Sequence, residues 1–361
     1  MPAPRPHRKT PPPTPLPLGT RLGSFEVRGV LGLGQYGYGY RVWDAESETE
    51  YAVKEYLPQD LARREGATLV QPRRPDDAER YAQGLRAFVD EGKLLSRVRE
   101  PGLVTVYGSW EENGSAYMAM DLVAGRNLQE TMQARGRPPR EPALRALLEP
   151  LLTAVQALHR AGIEHRDIGL SSIVIGPDHR PVLMDLGSPR RLAAARGDGG
   201  AAGPREGFAP PEMYATGKEL ERGPWTDVYA LGAVLHCLMI GKPPAPAPQR
   251  REGAAALSWP ASVLRRYSLE FLAAVEWMLS PLPQDRPRDV DTVRAVLGDP
   301  ARLPTHLRPG WRQRLALRLS RHRRALWLLG SVLGLALVAA LLWRLRQAGL
   351  LLSLGLPPPG S

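Results

Sequence analysis

A two-lobed α+β fold, with a cleft between a strand-rich first part and a helical second part, is what this sequence predicts, and three observations predict it. A Gly-rich turn, Gly32-Leu33-Gly34-Gln35-Tyr36-Gly37, joins two strand-like runs instead of a strand and a helix. Strand patterns dominate the first half of the chain, and helical spacing dominates the stretch from Pro142 to about Leu297. Asp167 and Asp185 lie on either side of an apolar run with a turn in its middle, which brings both carboxylates to the same edge of a hairpin. A run of strands followed by a run of helices packs as separate layers with one boundary between them.

The elements follow in order. Phe25-Glu26-Val27 and Val30-Leu31 read as a strand entering the Gly-rich turn, and Arg41-Val42-Trp43 as the strand leaving it. Tyr51-Ala52-Val53-Lys54 is a third strand, followed by a long Pro- and Arg-containing connection and a helix near Asp76–Arg99. Val104–Tyr107 and Ala116–Met120 form a hairpin around Glu112-Asn113-Gly114. Leu147, Leu148, Leu151, Leu152, Val155 and Leu158 make one helical stripe. Ile173-Val174-Ile175, a turn at Gly176-Pro177-Asp178, and Val182-Leu183-Met184 form the hairpin between the two aspartates.

The net charge of +11 first suggests nucleic acid, but its placement excludes that class. Residues 301–361 hold ten Arg and no Asp or Glu, and residues 1–20 add Arg5, Arg8 and Lys9, which leaves residues 21–300 nearly neutral. The C-terminal charge has its own explanation. Residues 325–343 carry no charged residue and are long enough to span a bilayer as a helix, with Trp327 and Trp343 near the ends. Arg312, Arg314, Arg318, Arg321, Arg323 and Arg324 precede this stretch, and only Arg344 and Arg346 follow it. The positive-inside bias then keeps the body in the cytoplasm, on a single-pass anchor in the cytoplasmic membrane. The expected organisation is a disordered Pro-rich basic arm (1–20), a folded domain (24–299), a basic juxtamembrane linker (300–324), a transmembrane helix (325–343) and a short extracytoplasmic tail (344–361). No apolar leader occurs in residues 1–18, and the one cysteine, Cys237, falls in an apolar helical run that suits core packing in a reducing compartment.

The chemistry concentrates in a few residues. Of 48 basic residues only Lys9, Lys54, Lys93, Lys218 and Lys242 are lysines, so Lys54 in an apolar strand stands out as a compact cation for phosphate oxygens. Glu91, in the next helix, is the candidate carboxylate to hold it. His165-Arg166-Asp167-Ile168 followed by Asp185-Leu186-Gly187 resembles the catalytic loop and metal-binding turn of protein kinases, and Gly32-x-Gly34-x-x-Gly37 resembles their phosphate-covering loop. Ala209-Pro210-Pro211-Glu212, Asp227-Val228-Tyr229-Ala230-Leu231-Gly232 and Asp285-Arg286-Pro287 extend the likeness across residues 24–299. Together these motifs resemble a eukaryotic-like bacterial serine/threonine protein kinase of a membrane-anchored subfamily.

That resemblance implies a bilobal protein-kinase-like fold, ATP and Mg²⁺ as cofactors, and a protein substrate or signalling partner. By the same resemblance, Asp167 takes the substrate hydroxyl proton, with His165 and Arg166 in its loop. Asp185 and Ser172 hold metal, Lys54 with Glu91 positions the phosphates, and Gly32, Gly34 and Gly37 cover them. Asp121 and Val123 stand at the inter-lobe hinge, whose backbone meets adenine, and Glu212 pairs with Arg286. Three positions depart from the family pattern: Gly169 stands for a Lys, Ser172 for an Asn and Arg205 for a Thr. Arg205 is a candidate to return the charge lost at Gly169. No Ser, Thr or Tyr lies between Ser188 and Phe208, which excludes switching by phosphorylation there. Two functions stay open at this point: an attenuated kinase, and a pseudokinase that signals through a nucleotide-binding or scaffold role.

Overall fold

The computed structural model describes residues 13–34, 36–186, 204–214, 220–253, 257–310 and 334–344. Strands β1 (Arg21–Leu22), β2 (Phe25–Gly34), β3 (Gly37–Asp44) and β4 (Thr49–Glu55) come first. A hairpin of β5 (Ala62–Glu65) and β6 (Leu69–Pro72) follows, then helix α1 (Ala78–Leu95), β7 (Val106–Glu112) and β8 (Ser115–Asp121). Six of these strands make one sheet in the order β1-β2-β3-β4-β8-β7, antiparallel throughout.

The β7–β8 hairpin turns at Asn113 (φ 53°) and Gly114 (φ 70°), both left-handed, as a tight two-residue turn requires. Gly114 is also irreplaceable for a second reason, since a Cβ there would lie 2.3 Å from the Val70 carbonyl oxygen of β6. α1 buries Tyr81, Leu85, Phe88, Val89, Gly92 and Leu95 along one face. Gly92 lets that helix press on β7, because a Cβ there would lie 2.5 Å from Ser109.

The second lobe contains β9 (Arg126–Asn127), α2 (Leu128–Arg135), α3 (Glu141–Arg160), β10 (Ile173–Ile175), β11 (Pro181–Leu183), α4 (Pro224–Ile240), α5 (Ala247–Arg251), α6 (Ala261–Arg266), α7 (Leu269–Met278) and α8 (Val290–Gly298). β10 pairs with β11 in the register Ile173↔Leu183 and Val174↔Val182, so the expected hairpin between the two aspartates is present. α3 buries Leu144, Leu148, Leu151, Leu152, Val155 and Leu158. α4 is buried on every side from Thr226 to Met239, as a helix apolar all round must be, and it forms the axis of the lobe. Cys237 packs in that axis, and burial pushes its thiol up to about 11.

Two features differ from the sequence reading. The connection after Lys54 is a β-hairpin, held by a buried ion pair of Arg64 with Glu55 (2.6 Å) to which the Tyr40 and Tyr117 hydroxyls also donate. Four polar side chains satisfying one another inside the lobe leave no apolar periodicity to read. Part of the expected disordered arm is also docked. Leu16 is 2% exposed, its N–H donates to the Tyr40 hydroxyl (3.0 Å), and the Tyr38 hydroxyl donates to the Pro13 carbonyl (2.6 Å). Residues 1–12 lie outside the described residues, as do Gly187, residues 188–203 and most of the predicted linker and tail. Of the predicted span 325–343, residues 334–343 are helical and the others lie outside the description. Among the described residues no helix is long and apolar enough to cross a membrane.

Candidate active site

A cleft of about 390 Å³ lies between the lobes. Gly32, Gly34, Tyr36 and Gly37 line it from above, Ala52, Val53, Lys54 and Met120 from the sheet, and Asp167, Met184 and Asp185 from below. The strands explain the upper wall. β2 and β3 pair up to Gly34↔Gly37, so the Gly-rich turn is the tip of a hairpin. Gly37 has φ 138°, and a Cβ there would lie 2.1 Å from the Glu55 carbonyl oxygen, so only glycine brings the tip so close to the end of β4. β4 places Lys54 beside Met118 of β8, with its side chain in the cleft.

Lys54 Nζ pairs with Asp185 Oδ1 at 3.0 Å. This corrects the expected Lys54–Glu91 pair. α1 presents Phe88, one turn before Glu91, to the cleft, and the Glu91 carboxylate oxygens are buried. The Lys54 charge is the main reason that the Asp185 carboxyl is held below the usual range, against the opposing effect of burial, so Asp185 is an anion at neutral pH.

The loop carrying Asp167 is hung from α4. Asp227, fully buried in the first turn of that helix, accepts from the backbone N–H groups of His165 (2.8 Å) and Arg166 (2.7 Å) and from His159 Nε2 (2.9 Å). Burial works against its charge, but these hydrogen bonds, that of His159 foremost, outweigh it and hold the carboxyl low. His165 Nε2 lies 2.8 Å from the Met184 carbonyl oxygen, which can only accept, so the ring donates there and accepts the Asp167 N–H at Nδ1 (3.3 Å). One imidazole thus ties the two aspartate-bearing segments together. Arg166, at φ 62°, pairs with Glu164 at 2.8 Å, so a carboxylate within the loop itself meets this guanidinium.

Ser172 corrects another expectation. It is wholly buried, its Oγ accepts from Gly169 N–H (2.9 Å) and donates to the Gly169 carbonyl (3.0 Å), and it does not line the cleft. Asp121 and Val123 do not line the cleft. The Asp121 carboxylate accepts from the Tyr107 hydroxyl (2.6 Å) and Thr105 N–H (3.3 Å). That hydrogen bond, more than partial burial, pushes the Tyr107 phenol up to about 12. Sequence reasoning missed the bridging role of His159, the Glu164 partner of Arg166, and the cleft positions of Tyr36 and Phe88. Asp167 itself is gripped from the far side by Arg205, Nε to Oδ1 at 3.1 Å and Nη2 to Oδ2 at 3.2 Å. Below the cleft, Glu212 and Arg286 form the expected pair, wholly buried, at 2.6 Å.

A protein kinase domain model matches residues 25–295. The chain belongs to the protein kinase family. Its relatives include serine/threonine-protein kinase PknL of Mycobacterium tuberculosis, 32% identical over 169 residues, which is 46% of this chain and 41% of that protein. Serine/threonine-protein kinase PknH of Mycobacterium bovis is 28% identical over 233 residues, or 63% of this chain and 35% of that one. The chain therefore spans less than half the length of these two curated relatives. Among solved structures, the apo form of PpkA-294 superposes with a TM-score of 0.66 at 36% identity, covering 78% of this chain and 99% of that one. The PknI kinase domain of Mycobacterium tuberculosis, at 22% identity and a TM-score of 0.58, shares the fold. These relatives place the kinase fold here among bacterial kinases of the eukaryotic-like kind.

Proposed function

We propose that this kinase-family chain is a serine/threonine protein kinase that moves the γ-phosphoryl group of ATP to a protein hydroxyl at a membrane face. The observation that carries the reading is the convergence of Gly32, Gly34, Gly37, Lys54, Asp167 and Asp185 on one cleft. Apolar Ala52, Val53, Met120 and Met184 give that cleft a wall for a flat base, and the glycine tip gives backbone donors for phosphates.

The donor set fits a hard cation with one protein carboxylate. Mg²⁺ binds through one or two carboxylates with phosphate oxygens and water, and Asp185, an anion open to the cleft, meets that need. When bound there, Mg²⁺ supplies positive charge against the phosphates. Lys54 supplies a second cation from above. Asp167 accepts the substrate hydroxyl proton as the hydroxyl oxygen bonds to the γ-phosphorus and the bond from that phosphorus to the β-phosphate oxygen breaks, releasing ADP. His165 keeps Asp167 and Asp185 in register while this happens, and Asp227 keeps the loop from shifting.

Ser172 favours the second reading, a pseudokinase, because its hydroxyl is engaged in closing a turn and does not line the cleft. A ligand that binds only the folded state raises stability, by about 2.7 kcal/mol at a hundredfold excess over Kd. Mg-ATP is therefore expected to raise the melting temperature of the full chain for the kinase and for a nucleotide-binding pseudokinase, and Lys54→Met to abolish most of the rise. An unchanged melt with Mg-ATP would remove nucleotide binding, and with it the kinase reading, leaving only a scaffold role for the pseudokinase.

Helical residues 334–344 support the membrane part of the proposal. Leu335, Leu337, Val338, Leu341, Leu342 and Trp343 are all exposed, an apolar surface on every side that water does not favour. The full chain is expected to sediment with membranes through alkaline carbonate and to be released by detergent. Recovery in the carbonate supernatant would sink this part alone.

A further inference from the structure

Gly169 raises a question that its backbone does not answer. Its φ is −162° and ψ 179°, an extended conformation open to any residue, so no left-handed geometry calls for glycine there. The space beside it gives the reason. A Cβ on Gly169 would lie 2.8 Å from Arg205 Nη1, 3.1 Å from its Cδ and 3.2 Å from its Cζ. The guanidinium fills the volume that a side chain at 169 would occupy.

Arg205 is not a loose neighbour that would swing aside. Nε and Nη2 take one Asp167 oxygen each, and Nη1 donates to Ser171 Oγ at 2.7 Å. Its backbone carbonyl accepts from Phe208 N–H (3.0 Å) and Ala209 N–H (2.9 Å), closing a turn. Gly207 in that turn, at φ 78°, lies so close to Pro243 that a Cβ would meet the proline Cβ at 2.7 Å. Both ends of the arginine are therefore fixed. Each carboxylate oxygen has two lone pairs, so the two-point grip leaves acceptor capacity on Asp167 for a substrate hydroxyl.

We propose that Arg205 is the positioning residue of Asp167, holding its carboxylate by both oxygens, and that Gly169 is glycine to make room for it. This rests on the kinase reading above. The grip acts through Asp167, and displacing a reacting group by about 1 Å is enough to cost roughly 10²-fold in rate.

The test is a two-by-two set in the full chain: wild type, Gly169→Ala, Arg205→Ala and the double variant, each assayed for γ-phosphate transfer to a generic protein substrate and for melting temperature. Arg205→Ala is expected to lower kcat by about 10²-fold with KM for ATP nearly unchanged. Gly169→Ala is expected to lower kcat too, by pushing the guanidinium away, but to have no further effect once Arg205 is alanine. The two changes then fail to add, as contacting residues do. A further variant, Gly169→Lys with Arg205→Ala, puts a cation into the vacated space and is expected to regain at least a tenth of wild-type kcat.

Full activity in Arg205→Ala, or independent effects of the two alanines on both kcat and melting, would overturn the proposal while leaving the kinase reading intact. A wild type that transfers no more phosphate than Asp167→Asn overturns the kinase reading instead. The melting temperatures then decide the pairing by themselves: coupling between positions 169 and 205 upholds it, and additivity removes it.

Discussion

Asp167→Asn is expected to lower γ-phosphate transfer by roughly 10²–10⁴-fold, the contribution of a positioned proton acceptor, with Mg-ATP still raising the melting temperature. The geometry confines the change to the carboxylate and its grip by Arg205. Asp167 is 13% exposed on its side chain, and its place in the loop is set by the backbone contacts of His165 and Arg166 with Asp227, which the change leaves alone. An Asn keeps one acceptor oxygen for Arg205 but turns an NH₂ toward the other half of the guanidinium fork. Transfer assays with a generic protein substrate, run beside the wild type, read the loss. Equal rates in the two proteins would mean that the phosphate goes elsewhere or that no transfer occurs, and the catalytic role of Asp167 would fall.

Arg286→Ala is expected to cost about 3–5 kcal/mol of stability, the range for removing one partner of a buried ion pair. Arg286 and Glu212 have side chains 0% exposed. Two parallel hydrogen bonds join them at 2.6 and 2.9 Å, and the arginine also donates to the carbonyls of Ser280 (2.6 Å) and Pro281 (2.7 Å). Its guanidinium lies 5.0 Å from the centre of the Tyr229 ring. Truncation strands the Glu212 carboxylate in the interior with the Thr226 hydroxyl (3.1 Å) as its remaining donor among these contacts. Domains of this kind have total stabilities of only about 5–15 kcal/mol, so the variant should melt well below the wild type. Arg286→Met with Glu212→Leu, which removes both charges, should recover much of the loss. A single variant within about 1 kcal/mol of wild type by urea unfolding would show that the pair is not what holds the segment around Glu212 to the turn between α7 and α8.

The fold was legible because its signals are periodic. The stripe on α3, the strand pairs about the glycine tip and the hairpin between Asp167 and Asp185 each repeat an apolar pattern, and each is present, with Leu144 buried on the stripe and Leu147 only half-buried. What escaped was polar. The β5–β6 hairpin is held by Glu55, Arg64, Tyr40 and Tyr117, residues that look like surface when read one at a time. The same limit applied at the site. Residue identity and order picked out Asp167, Lys54 and Asp185, which the cleft brings together. The partner of Lys54 and the place of Ser172 depend on which way side chains turn, and spacing carries no such information. Gly169 and Arg205 illustrate the point from the other side. By sequence, Arg205 reads only as a candidate to return the charge lost at Gly169. Side by side, with a missing Cβ facing a guanidinium, they read as one arrangement.

The docked segment at Pro13–Leu16 has a practical consequence for how this protein is cut. A protein started at residue 20, where the basic arm would be trimmed from the sequence alone, loses a buried leucine side chain worth roughly 1.5–3 kcal/mol. It also strips the Tyr40 hydroxyl of its Leu16 donor and the Tyr38 hydroxyl of its Pro13 acceptor. Both tyrosines sit on β3, the strand that leaves the glycine tip, and Tyr38 itself faces the cleft. A weak activity measured on such a shortened protein would report on the scissors as much as on the enzyme.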